Sequence, residues 1–357
     1  MAPEKLRVLE NHPYNAEAFA PALDQPITPV GNFFVRNNGV LPGALDLQNW
    51  TLTVDGEVER ARTWSLNELK ADFEEVTVTA VLECAGNGRA RYAPQTPGLQ
   101  WTDGAVGCAR WRGVRLRDVL RACGVKDSAV YTGHFSPDRH AEKPDHPAIS
   151  RGLPIAKALA PETLLAFAMN GELLTEQHGA PMRIVAPGYP GSAWQKWLTR
   201  IWVRDREHDG AKMTGTDYRL PRRPVSPGEK IDPANFDVIT EMPVKSAITS
   251  PAEGFSAPAN RPLEVRGFAW TGHAEVKSVS VSADGGKSWQ DATLEPAEGR
   301  FGWHRFRATI APADGPVTLI ARATDSSGQT QPLETAAWNP AGYCNNGVHR
   351  VNGTARS

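Results

Sequence analysis

The sequence predicts an α+β domain over residues 1–240 followed by an all-β sandwich domain over residues 241–357. A chain of 357 residues is longer than one ordinary hydrophobic core organises, which favours two domains. Helix-like and strand-like segments are mixed up to about residue 240, and only short alternating strands follow. With 40% apolar and 22% charged residues, the composition is that of a folded protein.

Charge and hydropathy exclude several classes of function. The formal net charge is −1, so the chain lacks the basic footprint of a nucleic-acid-binding protein or of one held at an anionic membrane. No window approaches the roughly 18 to 20 apolar residues of a transmembrane helix. No export signal is visible, which favours the cytoplasm, although a periplasmic protein whose signal had been removed would show the same sequence.

The first domain contains both kinds of secondary-structure signal. Ser65 followed by Glu68 forms a capping-box pattern and predicts a short helix over residues 65–73. Helical spacing that ends near a glycine predicts two further helices, over residues 115–125 and 153–171. Apolar, β-branched runs bounded by turn residues predict strands over residues 52–58, 74–83 and 181–188.

The second domain begins after a segment, residues 218–236, that is rich in Pro and charge and is typical of a surface linker. From about Val244 onward, Asp284, Gly285 and Gly286 separate alternating runs and predict a hairpin, because glycine adopts the positive φ of such turns. Several turn-punctuated strands favour an immunoglobulin-like sandwich. The runs lie at residues 263–270, 275–294, 303–311 and 316–328.

One short stretch carries chemistry: "TVTAVLECAGNGRARY", residues 77–92, in which a strand-like run ends at Cys84. A lone cysteine at a strand end is commonly a buried small apolar residue. Here glycines bring the backbone close to the thiol, and Arg89 and Arg91 favour its thiolate, which suits either a metal centre or a covalent nucleophile. The residues alone leave these alternatives open. The other cysteines (Cys108, Cys123 and Cys344) form no C-x-x-C pair and are interpreted as structural.

A series of motifs resembles the sulfite oxidase family of molybdenum enzymes. The motifs are "NFFVRNN", "ECAGNGR", "GLQWTDGAVGCARWRGVRL", "HGAPMRIVAPGYPGSAWQKWL", "PVKSAITSPAEG", "GFAWTG" and "SVSADGGKSW", in family order from about residue 28 to residue 351. The resemblance implies a molybdopterin-binding first domain and a second domain that forms a homodimer. It also implies molybdenum held by one pyranopterin dithiolene (molybdopterin) and by Cys84 as the single protein ligand. No haem-binding segment is seen before residue 28, so electrons are expected to pass to a separate acceptor such as a cytochrome.

The same resemblance implies roles for individual residues. Arg36 and Arg89 would hold a small oxyanion substrate, with Trp101 and Tyr218 shaping the pocket. A guanidinium suits this task because its donors are planar and its charge does not titrate. The residues expected at the cofactor are Phe34, Val35, Arg36, Asn37, Asn38, Cys84, His178, Arg183, Ser192, Gln195 and Lys196.

Three departures from the family pattern concern the substrate. Gly88 replaces the first arginine of C-A-G-N-R-R, Asn38 replaces the histidine of R-N-H, and Ala341 stands where sulfite-oxidising members carry the arginine of W-N-L-R. A lost charge-assisted contact is worth about 1.5 to 3 kcal/mol, so affinity for sulfite could fall about tenfold to a hundredfold. The closing "NPAGYCNN" resembles plant nitrate reductase more closely.

The resemblance therefore predicts two-electron oxygen-atom transfer, first of all the oxidation of sulfite to sulfate. Reduction of nitrate or of an S-oxide at the same centre is the alternative enzyme function. A catalytically idle cofactor-binding protein or a dimeric interaction module is the alternative from another class. Metal analysis combined with turnover of sulfite and nitrate separates the three.

Overall fold

The computed structural model describes residues 6–43, 46, 49–272 and 274–357. The helices are α1 (Leu66–Asp72), α2 (Leu116–Cys123) and α3 (Ile155–Ala158). The strands up to residue 240 are β1 (Leu6–Asn11), β2 (Tyr14–Ala18), β3 (Thr51–Gly56), β4 (Arg62–Ser65), β5 (Glu75–Glu83), β6 (Val106–Arg115), β7 (Tyr131–Phe135), β8 (Gly152–Pro154), β9 (Leu164–Met169), β10 (Glu172–Leu173), β11 (Arg183–Val185), β12 (Arg200–Arg204), β13 (Arg219–Pro221) and β14 (Phe236–Val238).

The strands after residue 240 form the second domain. They are β15 (Lys245–Ser250), β16 (Phe255–Pro258), β17 (Leu263–Trp270), β18 (Val276–Ser282), β19 (Gln290–Asp291), β20 (Thr293–Leu294), β21 (His304–Ile310), β22 (Gly315–Asp325) and β23 (Arg350–Arg356). In the described part of the chain no helix is long and apolar enough to cross a membrane.

The first two predicted helices are confirmed, and their ends have local causes. Ser65 accepts a hydrogen bond from the amide of Glu68, whose carboxylate accepts one from the amide of Ser65, so a capping box starts α1. Gly124 ends α2 in a left-handed conformation with φ of 72°. The buried face of α2 packs into the core of the first domain.

The third predicted helix, over residues 153–171, is wrong for most of its length. Only α3 is helical, and Leu164–Met169 forms β9, which is buried along its whole length. A continuous apolar run is compatible with a buried helix or with a central strand, and periodicity alone does not distinguish them. The segment is a strand because it pairs with β6 on one side and with β10 and β11 on the other.

Two five-stranded sheets, with the two-stranded sheets β1-β2 and β13-β14, build the first domain, which has many strands and few helices. One has the order β10-β9-β6-β5, with β11 also paired to β9, and the other has the order β4-β3-β12-β7-β8. Apolar residues from both sheets and from α2 form one core. In the first sheet β5 runs antiparallel to β6, with Glu83 opposite Val106 at the end of the pairing. The strand therefore delivers the residue after Glu83, Cys84, to the edge of the core.

Two further sheets build the second domain, in the orders β15-β17-β21-β20 and β16-β23-β22-β18-β19. Val265, Phe306 and Leu319, from different strands of the two sheets, lie in one apolar core. Gly285 and Gly286 have positive φ in the turn between β18 and β19, where the Asp284 carboxylate accepts amide hydrogen bonds from the turn. This is the predicted hairpin.

The segment interpreted as a linker is ordered at both ends. β13 pairs antiparallel with β14, so residues 219–221 and 236–238 form a two-stranded sheet that closes the intervening loop. Tyr218 immediately precedes this sheet and is buried. The linker interpretation is therefore wrong for the ends of the segment, and the small sheet fixes the position of Tyr218.

Candidate active site

A cavity that is partly open to solvent lies beside the end of β5, and its free space, counted with the part open to solvent, is about 680 Å³. Short loops after strands of the first domain form most of its wall, and the stretch before β13 supplies Tyr218. The predicted site residues that line it are Phe34, Arg36, Asn38, Cys84, His178, Arg183, Ser192, Gln195, Lys196 and Tyr218. Residues from three of the sequence motifs, together with Tyr218 from outside them, thus meet in one place.

Cys84 presents the only thiol that lines this cavity, among the residues that the structure describes. Its amide donates to the carbonyl oxygen of Ala105 at 2.9 Å, and its own carbonyl accepts from the amide of Asn87 at 2.9 Å. The backbone on both sides of the thiol is therefore fixed. Gly88 then takes φ of 91°, a conformation that glycine adopts without strain.

The turn that follows Cys84 is held by the second domain. The carboxylate of Glu83 accepts hydrogen bonds from Lys245 Nζ at 3.1 Å and from Trp270 Nε1 at 2.7 Å. Asn345 Nδ2 donates to the carbonyl oxygen of Gly88 at 2.8 Å. Since Glu83 and Lys245 are each only 2% exposed, this is a buried ion pair across the two domains.

On one side of the cavity, three lining residues form one hydrogen-bonded group. Asn38 Oδ1 accepts from Arg36 NH2 at 2.9 Å and from the Tyr218 hydroxyl at 3.0 Å. Arg36 NH1 also donates to the carbonyl oxygen of Asn37. The guanidinium and the phenol are thereby held at the same side of the cavity, where an anion can accept from the guanidinium and, in place of Asn38, from the phenol.

Tyr218 has an uncommon backbone conformation, with φ of 51°. Residues other than glycine rarely adopt positive φ, and they do so where the surroundings determine it, often in active sites. Here the surroundings are the hydrogen bond to Asn38 and a stacked contact with Tyr343, whose ring centroid lies 5.2 Å away. Trp197, which also lines the cavity, has the same φ of 51°.

On the other side, three residues that line the cavity have buried polar atoms without hydrogen-bond partners. They are His178 Nε2, Arg183 Nε and Ser192 Oγ. Burial lowers the pKa of His178 to about 3 and that of Arg183 to about 9. Native proteins rarely leave several buried donors unsatisfied at one place, which indicates a bound polar group.

Lys196 adds a cation to this side. Its ammonium donates to Asn37 Oδ1 and to the carbonyl oxygen of Gln177, and burial lowers its pKa well below the ordinary value. Asn37 itself does not line the cavity, but it orients Lys196. A phosphate would pair with Lys196 and Arg183 and would remove the cost of burying their charges.

Asp138 lines the cavity and was not predicted. Burial raises the pKa of its carboxyl, and the Ser136 hydroxyl donates to it. Gln195 Nε2 in turn donates to the Ser136 hydroxyl at 2.6 Å. The sequence around Asp138 is an ordinary loop with several polar residues, so no signal there distinguishes the buried carboxyl from an exposed one.

The remaining predicted residues do not line the cavity. Arg89 is buried and donates from Nε to the carbonyl oxygen of Ala341 at 2.8 Å and from NH1 to that of Leu99 at 2.9 Å. Trp101 is fully buried and packs edge-on against Phe34. Val35 is buried, with its backbone paired to Ala16. Their predicted contacts with substrate or cofactor stay predictions.

The donor set fits the cofactor that the resemblance implies. A single thiol at the cavity suits one metal–sulfur bond, since thiolate is a soft ligand. The unpartnered donors of His178, Arg183 and Ser192 suit the polar ring and phosphate of a pterin. Cys84 would hold the metal, and these residues with Lys196 would hold the organic part.

Comparisons with known proteins support the same assignment. Residues 38–212 match the family model for an oxidoreductase molybdopterin binding domain, and residues 236–355 match that for a Mo-co oxidoreductase dimerisation domain. The chain is 35% identical to sulfite oxidase of Gallus gallus, over 97% of this chain and 77% of that protein. It is 32% identical to a nitrate reductase [NAD(P)H] of Hordeum vulgare, over 98% of this chain and 42% of that protein.

A solved structure agrees with both domains at once. The sulfane dehydrogenase SoxCD from Paracoccus pantotrophus superposes with a TM-score of 0.77 at 26% identity, over 100% of this chain and 88% of that chain. The chain therefore belongs to the sulfite oxidase family and is a molybdenum-cofactor oxidoreductase with a molybdopterin-binding domain and a Mo-co dimerisation domain.

Proposed function

We propose that this protein oxidises sulfite to sulfate and passes the electrons to an external one-electron acceptor. The observation that carries the proposal is the grouping of Cys84, Arg36 and Tyr218 at one cavity, with Asn38 bridging the last two. Donors suited to an anion thus line the same cavity as the thiol that would hold the metal. Sulfite and water give sulfate, two protons and two electrons, so two one-electron acceptor molecules must each take one electron in succession.

The chain's own residues bind and orient the anion. When bound, the molybdenum cofactor supplies the redox chemistry and the oxygen-atom transfer. Arg36 offers a fixed positive charge, and Tyr218 offers a hydroxyl that can donate to a substrate oxygen in exchange for its hydrogen bond to Asn38. Phe34 and Trp197 line the cavity with apolar surface, which limits water and strengthens these electrostatic contacts.

Relatives of this chain support sulfite as the first choice of substrate. The Gallus gallus protein is named a sulfite oxidase and the Paracoccus pantotrophus protein a sulfane dehydrogenase, so both names describe oxidation of sulfur. Nitrate reduction stays the alternative because a nitrate reductase is 32% identical to the chain. The departures at Gly88, Asn38 and Ala341 bear on this choice.

The assembly we propose is a homodimer formed through an immunoglobulin-like second domain, with a cytochrome as the electron acceptor. The match of residues 236–355 to a dimerisation domain supports the first part. The two packed sheets of that domain, with a common core, support the sandwich. Sedimentation at micromolar protein tests the dimer, which a single monomeric species would contradict.

A substrate panel tests the function. Purified, molybdenum-loaded protein is assayed with sulfite and ferricyanide, and separately with nitrate or an organic S-oxide and a reduced dye. The proposal expects saturable sulfite oxidation and a kcat/KM at least about a hundredfold above that for either reductive substrate. Faster turnover of nitrate or of the S-oxide would replace sulfite as the substrate. No turnover of any of them, with full metal loading, would favour an idle cofactor-binding protein.

A further inference from the structure

Arg151 is a buried cation that takes no part in the site described above. It is 1% exposed, NH1 donates to the carbonyl oxygen of Lys212 at 2.6 Å, and Nε is buried without a hydrogen-bond partner. Within the described residues no carboxylate forms an ion pair with it. Arginine is seldom fully buried without an anionic partner, because removing its charge from water is costly.

The surroundings of Arg151 place it directly behind the cavity wall. Its guanidinium carbon lies 5.1 Å from the centroid of the Tyr218 ring, and its amide donates to Gln195 Oε1 at 3.2 Å. Both Tyr218 and Gln195 line the cavity, as does Ile149, two residues before Arg151. The Arg151 guanidinium, which has no ion-pair partner among the described residues, thus contacts the Tyr218 ring, one of the residues that an anion in the cavity would meet.

We propose that Arg151 is a specificity-determining residue that positions Tyr218 and attracts a doubly charged oxyanion to the cavity. The proposal rests on the proposed sulfur-oxyanion chemistry and deepens it. The cation–π contact holds the phenol ring against its neighbours. The charge acts through a low-dielectric wall, where electrostatic attraction is weakened little by solvent.

Ala341 lies beside the same aromatic pair as Arg151. Ala341 packs beside the cluster that contains Tyr218 and Tyr343, and its carbonyl oxygen accepts from Arg89. Its methyl side chain supplies no charge there. The Arg151 guanidinium contacts the Tyr218 ring. It therefore supplies a positive charge beside the stacked pair of Tyr218 and Tyr343, next to which Ala341 lies.

Two variants separate charge from shape. Arg151→Gln removes the charge and keeps donors, and Arg151→Lys keeps the charge without the planar group. We expect Arg151→Gln to raise the KM for sulfite about tenfold with kcat within about threefold, and Arg151→Lys to recover most of the KM.

A binding measurement makes the test independent of turnover. Sulfate should raise the melting temperature of the wild-type and Arg151→Lys proteins, and it should raise that of Arg151→Gln less. Arg204→Gln is the matched control: Arg204 is 2% exposed and its guanidinium carbon lies 4.2 Å from the Trp202 ring, but it is paired with Asp209. This control should leave the KM and the sulfate effect unchanged.

The outcomes separate the role of Arg151 from the proposed oxidation of sulfite. An unchanged KM and sulfate effect in Arg151→Gln would overturn the role of Arg151, and so would an Arg151→Lys protein as impaired as Arg151→Gln. If Arg151→Gln does not fold, Arg151→Lys decides: a near-wild-type KM supports the role and a tenfold higher KM overturns it. If the wild-type protein does not oxidise sulfite, the proposed function fails, and the sulfate measurement still tests Arg151.

Discussion

Lys245 Nζ donates to Glu83 Oε1 at 3.1 Å and to the carbonyl oxygen of Asn87 at 2.9 Å. Lys245 begins β15 in the second domain, whereas Glu83 and Asn87 flank the turn that carries Cys84. Asn87 also donates from Nδ2 to Glu83 Oε1 at 2.9 Å, so the three residues form one closed network. The second domain thus helps to fix the backbone that presents the thiol.

Lys245→Met should therefore weaken both the fold and the cofactor site. Removing one partner of a buried ion pair leaves the carboxylate of Glu83 buried and uncompensated, at a cost of about 3 to 5 kcal/mol in the free energy of unfolding. Denaturant unfolding measures this loss, and metal analysis should show less molybdenum per chain. The double variant Glu83→Gln/Lys245→Met carries no buried charge and should recover part of the stability. Wild-type stability and metal content in Lys245→Met would refute the structural role of the pair.

Cys84→Ser should lose molybdenum while the protein stays folded. A hydroxyl is a harder and far less acidic ligand than a thiol, so it replaces a thiolate poorly at such a metal. Metal analysis and circular dichroism give the two readouts. Cys123→Ser is the control, since Cys123 is buried in α2 and lines no part of the cavity. Normal molybdenum content with wild-type turnover in Cys84→Ser would end the ligand assignment.

Ala341→Arg should lower the KM for sulfite. The family resemblance places an arginine at this position, and a new charge-assisted contact is worth about 1.5 to 3 kcal/mol, or about tenfold to a hundredfold in affinity. The effect should be larger at low salt, because screening weakens attraction between charges. Arg36→Ala should act in the opposite direction. Steady-state kinetics at two ionic strengths measures both, and an unchanged KM in a folded Ala341→Arg protein speaks against sulfite binding near this segment.

Stability should fall as the pH is lowered below about 6.5. Burial lowers the pKa of His134 to about 3 and that of His208 to about 4, compared with an ordinary value of 6.5. Between these values the unfolded chain binds a proton that the folded chain does not, so each histidine removes about 1.4 kcal/mol per pH unit. The stabilisation is complete above pH 6.5 and is lost toward pH 3.

His134→Gln should flatten this dependence. Urea unfolding at pH 7, 6 and 5 should show a slope smaller by about 1.4 kcal/mol per pH unit than that of the wild-type protein. A wild-type free energy of unfolding that is constant from pH 7 to pH 5 would contradict the buried, neutral state of His134.

Much of the site could be predicted because its residues are tied to local motifs. Cys84 follows a strand and precedes a glycine turn, and both features are visible in the sequence. The capping box of α1 is likewise a contact over three residues. Local chemistry of this kind needs no knowledge of distant segments.

The parts that could not be predicted depend on distant segments. Leu164–Met169 is a strand because β6 and β11 pair with it, although its composition also suits a helix. Asp138 and Arg151 are buried beside the cavity only through the packing of several loops. The contact of Lys245 with Glu83 joins residues 162 positions apart. No spacing or periodicity in the sequence reports such contacts.

The electron count of sulfite oxidation tests the central claim most directly. Molybdenum-loaded protein is mixed with a limiting amount of sulfite and excess ferricyanide, and both sulfate and ferrocyanide are measured at completion, beside a Cys84→Ser sample. We predict one sulfate and two ferrocyanide ions per sulfite consumed. The rate of sulfite consumption should exceed the uncatalysed rate only with the wild-type protein. Sulfite consumption that does not exceed the Cys84→Ser sample, in a wild-type protein with full molybdenum loading, would contradict it.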